Sequence, residues 1–177
     1  MSGECGRVAD MRVTTCKQER KSSCGAAALR MAFLARGKDL SEREIIRKLG
    51  GLRSYGTKLV IMAKVARELD FKTECFSYDK KEAGKDVVWK EPRRADLKTQ
   101  LAKRRVVIVP VRAALFYNEP AQKMKGHFIV VTKYDKGIIY YNDPHDGKQY
   151  KTNEDHFLLA WYHVAVGSSA YLLLIYK

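Results

Sequence analysis

From Cys24 to Arg36 the chain is apolar on nearly every side, with Ala26, Ala27, Ala28, Leu29, Met31, Ala32, Phe33 and Leu34 in succession. A helix without a polar face is buried, and Ser22 or Ser23 stands where its N-cap belongs. A second helix carries its own brackets. Ser41 and Glu44 have capping-box spacing, Leu40 and Ile45 take staple positions, Lys48 falls in the last turn, and Gly50-Gly51 stop it. After Gly56-Thr57 a third helix puts Leu59, Met62, Val65, Ala66 and Leu69 on one stripe.

At Phe71 the period changes to two. FKTECFSY predicts a short strand, the polar stretch from Asp79 to Arg94 a loop, the segment near Asp96 to Lys103 a short helix, and VVIVPV a buried strand. Arg112 to Lys125, with Phe116, Tyr117 and Pro120, reads as a long connection of the kind that faces substrate. GHFIVVTKY and GIIYYND meet at Asp135-Lys136 as a hairpin. A turn centred on Asp135 sets His127 and Asp143 at equal distances from it, opposite one another across the pair. A last helix runs from about Asn153 to Tyr162 with Thr152 as its cap, Trp161 and Tyr162 are expected to close the core, and AYLLLIY is the final strand. Helices followed by an antiparallel sheet describe an α+β fold, one domain over residues 1–177 without internal repeats.

Composition narrows the function classes. No run reaches the roughly 18 consecutive apolar residues that a membrane span needs, and MSGECGRVADMR has no apolar signal core, so a soluble, cytoplasmic protein is expected. Cys5, Cys16, Cys24 and Cys75 are too sparse for a disulfide framework, fit a reducing compartment and have no zinc spacing with His127, His145, His156 or His163; no cofactor or metal is expected. The net charge of +14 raises nucleic-acid binding as a class. The cations are scattered, however, and no RNA-binding aromatic signature accompanies RRADLKTQLAKRR, so the charge of this basic protein is assigned to solubility or to steering of an acidic peptide.

The chemistry lies elsewhere. Cys24 opens the buried helix, where partial positive charge and free N–H groups favour an anionic sulfur, and His127 arrives from the sheet to take its proton. Asp143, before Pro144, is placed to orient the imidazole, although Asn142-Asp143-Pro144 is also an ordinary strand-end turn. Gly25 is expected to admit a substrate backbone. The Gln18 side chain and the Cys24 N–H are candidate oxyanion donors, and glutamine in KQERK is also commonly just a solvated side chain.

Taken in order, Gln18, SCGAAALRMAF, GTKLVIMAKVARELDF, VVIVPV and GHFIVVTKYDKGIIYYNDP resemble the papain-like peptidase domain of the bacteriocin-processing, double-glycine cysteine peptidases. The resemblance covers nearly the whole chain from Gln18 onward. It implies a papain-like fold, Cys24 as nucleophile, His127 as base, Asp143 as orienting carboxylate, Gln18 in the oxyanion hole, and a peptide or small-protein substrate cut after residues such as Gly-Gly. An acyltransferase or transpeptidase would use the same residues; a peptide-binding module that had lost catalysis is the remaining alternative. The first 17 residues have no counterpart in the pattern, and the ABC exporter often fused to such domains does not follow, so no link to secretion is implied. LSEREIIRKLGG also resembles a double-glycine leader, but a capped helix ended by glycine accounts for each of its residues, and no self-cleavage after Gly51 is expected.

Overall fold

The computed structural model describes residues 12–78, 87–91, 93–119, 126–165 and 170–177. Cys5, the loop from Asp79 and the Pro120 end of the long connection lie outside the described residues. Three helices come first: α1 (Cys24–Leu34), α2 (Glu42–Lys48) and α3 (Leu59–Glu68). The rest mixes strands with further helices: β1 (Lys72–Ser77), β2 (Val88–Trp89), α4 (Arg94–Ala102), β3 (Val106–Arg112), α5 (Ala113–Phe116), β4 (Gly126–Asp135), β5 (Ile138–Asp143), β6 (Lys148–Asn153), α6 (Glu154–Ala165) and β7 (Leu172–Tyr176).

One mixed seven-stranded sheet, in the order β2-β1-β7-β3-β4-β5-β6, forms the middle layer. Strand alternation feeds a core on each face. Val106, Ile108, Val130, Leu173 and Ile175 pack with α1, α2 and α3. Val107, Val109, Ile129, Val131, Leu172 and Leu174 face the other way, onto Leu97, Phe116, Phe157 and Trp161 of α4, α5 and α6. The α+β class holds. Among the described residues no helix is long and apolar enough to cross a membrane.

Several local expectations are corrected. β2 and the single turn α5 fall within the segments expected as loop and connection, and β6 forms where no element was expected. The last helix is capped by Asn153, whose Oδ1 accepts from His156 N at 2.8 Å, and not by Thr152. Trp161 is fully buried, but Tyr162 remains 37% exposed and does not close the core. The capping box of α2 is present as read, and Gly50 and Gly51 end that helix at φ +81° and +94°.

The β4–β5 hairpin turns at Lys136 and Gly137, with φ of 45° and 81°, the left-handed pair of a tight two-residue turn. Asp135 pairs with Ile138, and the register then shifts between Val131 and Lys133. One step beyond the Val130–Asn142 pair, Asp143 stands level with Ile129. His127 is therefore its diagonal neighbour on the same face, not its directly opposed partner, and the diagonal is still within reach of an imidazole.

Candidate active site

Cys24 is the first residue of α1 and is half-buried. Ser23 before it makes no side-chain cap bond to the helix. Its hydroxyl instead accepts from Arg20 N at 3.0 Å and donates to Arg20 O at 2.8 Å, so Ser23 leaves the leading N–H groups of α1 uncapped. Gly25 has a packing reason to be glycine. A β-carbon there would lie 2.5 Å from Thr57 Cγ2 and 3.3 Å from both Met62 Sδ and the Phe128 ring. Glycine thus lets α1 seat against Phe128, whose chain neighbour is His127, and this contact brings sulfur and imidazole together.

His127 and Asp143 are 8% and 2% exposed. His127 Nε2 is 2.8 Å from Asp143 Oδ1, which also accepts the His145 N–H at 2.8 Å, and the Tyr117 hydroxyl donates to Asp143 Oδ2. Cys24 hydrogen-bonds the imidazole as well, and Nδ1 is the nitrogen left for it. Burial works to lower the His127 pKa, but the hydrogen bonds with Asp143 and Cys24 and their charges outweigh it and hold the ring up at about 9. Burial would likewise raise Asp143; its bonds from His127, Tyr117 and His145 and the imidazole charge bring it below the ordinary carboxylate range.

Gln18 lies in the loop leading to α1. Its backbone N–H donates to Pro144 O at 2.7 Å, which ties it to the residue after Asp143. Its side-chain amide is turned onto its own loop, donating to Arg20 O at 2.8 Å and Lys21 O at 3.1 Å. Of the four candidates, the structure brings Cys24, His127 and Asp143 into one hydrogen-bonded chain and places Gln18 alongside with its amide engaged elsewhere.

Tyr117 was not singled out as a site residue from sequence. Its ring sits 5.8 Å from that of His127, and α5 fixes it: Phe116 is buried, and its carbonyl lies 2.9 Å from His156 Nε2. The only signal was its place in a long connection near the chemistry. Beside the site, a cavity of about 160 Å³ opens between the end of α2 and the start of α3. Two of its lining residues, Gly56 and Thr57, face Ser22 and Gly25 on either side of Cys24.

The fold has known counterparts. The family model of the Peptidase_C39 like family matches residues 11–168, and the chain belongs to that family. Among solved structures it is similar to a C39-like peptidase from Bacillus anthracis, with 14% identity, TM-score 0.68, and 94% of this chain and 96% of that one covered. It is also similar to a double glycine motif protease from an AMS/PCAT transporter, in complex with its leader peptide, with 17% identity, TM-score 0.61, and 94% and 92% covered. A third is the peptidase domain of Streptococcus ComA, a bifunctional ABC transporter, with 17% identity, TM-score 0.60, and 93% and 97% covered. Comparison with curated proteins gives no match.

Proposed function

We propose that this chain is a single-domain cysteine peptidase in which Cys24 is the nucleophile, His127 the general base and acid, and Asp143 the group that orients the ring. The observation that carries the reading is the continuous chain from Cys24 through the buried imidazole to Asp143. With the thiol proton already held on His127 Nδ1 as imidazolium, sulfur bonds the substrate carbonyl carbon, and its oxygen becomes an oxyanion. Collapse breaks the C–N bond, the leaving amine takes the proton from His127, and a thioester remains on Cys24. Water, deprotonated by the same nitrogen, then releases the carboxylic acid and returns the thiolate.

The oxyanion meets the N–H groups at the start of α1 and the amide of Gln18. For Gln18 to take part, one of its hydrogens must be released from, or shared with, the carbonyl of Arg20 or Lys21. Gly-Gly sequences are the first candidates for the cut, by likeness to the double glycine motif protease. The peptide-bound transporter protease supports a peptide as the substrate class.

A proteome-derived peptide library, incubated with the protein and read by mass spectrometry, tests this. The expected result is a set of cuts with a common sequence preference, absent with Cys24→Ala and His127→Ala. Equal cutting by Cys24→Ala, or no cutting by the wild type, would overturn the reading.

A further inference from the structure

Glu42 is a glutamate with no exposed surface, and the reaction above does not use it. Carboxylates are among the groups least often fully buried, because the anion loses its hydration, and one that stays buried is held by specific donors. Among the described residues, the hydrogen bonds to its carboxylate come from one donor, the Glu19 N–H, at 3.0 Å to Oε1 and 3.1 Å to Oε2. Glu19 is the residue next to Gln18.

The loop around Gln18 is polar, exposed at Glu19, Arg20 and Lys21, and reads in sequence as solvated. In the fold its consecutive backbone N–H groups are claimed by three separate parts of the molecule. Gln18 N donates to Pro144 at the end of the hairpin, Glu19 N to Glu42 on α2, and Arg20 N to the Ser23 hydroxyl at the foot of α1. Gly147 adds a steric stop, since a β-carbon there would stand 2.8 Å from Lys17 N. Ser23 is local, and Pro144 fixes the loop to the sheet side. Glu42 fixes it to α2 through a buried bond, whereas its further tie to the helical side, from Arg30 of α1 to the Glu19 carboxylate at 3.8 Å, is exposed.

We propose that Glu42 is a positioning residue: its buried carboxylate sets the height of the Gln18 loop over Cys24 and so places the oxyanion donor. The proposal rests on the peptidase reading of Cys24 and Gln18. It separates two properties of the site. Reactivity of the sulfur depends on His127 and should not depend on Glu42; stabilisation of a tetrahedral adduct should.

The test compares two probes on the intact protein. Iodoacetamide alkylates sulfur without forming an oxyanion. N-acetyl-glycyl-glycinal adds sulfur to its aldehyde carbon, and the former carbonyl oxygen takes the thiol proton as a hemithioacetal in the oxyanion position. In Glu42→Ala, exchange of the Glu19 amide hydrogen is expected to quicken, aldehyde affinity to fall by about 10- to 100-fold, the scale of a donor misplaced by an ångström, and the alkylation rate to stay within about twofold, since its imidazole partner is untouched. Glu42→Gln keeps an acceptor oxygen and should recover most of the affinity; it also serves should the alanine variant fail to fold. In a Gln18→Ala background, Glu42→Gln and Glu42→Ala should have the same affinity, because the residue through which Glu42 acts is gone. Unchanged Glu19 exchange, unchanged aldehyde affinity in a reactive protein, or parallel loss with both probes each overturns the role of Glu42 while leaving the peptidase reading intact. A wild-type Cys24 that neither alkylates quickly nor takes the aldehyde overturns the peptidase reading itself.

Discussion

The helix that delivers Cys24 and the hairpin that delivers His127 meet at one point but are held there by different forces. α1 is fixed by burial: Ala26 to Ala28, Leu29, Met31 and Phe33 have almost no exposed surface, and Gly25 seats it against Thr57, Met62 and Phe128. The imidazole is fixed by directed bonds, from Asp143 and through it from Tyr117 and His145. Packing is summed over many contacts and tolerates small losses, whereas a hydrogen-bonded chain loses function at any link. Changes on the helix side should therefore register first in stability, and changes on the hairpin side first in rate.

The largest effect is expected at the junction itself, where Cys24→Ala should abolish peptide cutting while leaving the melting temperature close to wild type. Asp143→Asn comes next, with cutting reduced by about 10² to 10⁴, the range for loss of an effective general base. The same variant tests the electrostatics. The imidazole is held at about 9, above its ordinary 6.5, so its contribution to stability is complete below pH 6.5 and is lost as the pH rises through 9. Melting temperature should accordingly fall across that window in the wild type and fall less in Asp143→Asn; an unchanged pH slope would separate the ring from the carboxylate.

Gly25→Ala should act the other way round, costing about 1–3 kcal/mol of stability through overpacking. Removing the opposed methyl in Gly25→Ala/Thr57→Ser should restore part of it, as thermal denaturation would show. Tyr117→Phe removes one bond to a charged group at a part-exposed residue, and a loss of about 1 kcal/mol with less than tenfold in rate is expected. The smallest change is Ser41→Ala, which opens the capping box of α2 for about 1 kcal/mol and should leave Cys24 reactivity unchanged. A rate loss there as large as in Asp143→Asn would erase the distinction between the two sides.

What could be read from sequence follows the same division. The apolar α1, the capping box with its glycine stop, and the hairpin are written in local residue patterns, and so were Cys24, His127 and Asp143 as candidates. β6 escaped because it is an exposed edge strand in which Tyr150 stands alone among Lys, Gln, Thr and Asn, so no alternation marks it. β2 has only two residues. The bulge between Val131 and Lys133 moved the hairpin register, and no residue there announces it. Tyr117 and the inward use of Gly25 depend on elements far apart in the chain. Glu42 had a faint signal, a charge on the same helical stripe as the buried Ile45 and Leu49.

The account stands on the sulfur of Cys24 being activated by His127, and the alkylation rate of each cysteine by iodoacetamide near neutral pH, resolved by peptide mass spectrometry, measures this directly. Cys24 should react faster than half-buried Cys16, whose thiol burial pushes upward, and faster than buried Cys75, held up at about 12; His127→Ala should remove the advantage. A Cys24 no faster than Cys16, or one equally fast without His127, would contradict it.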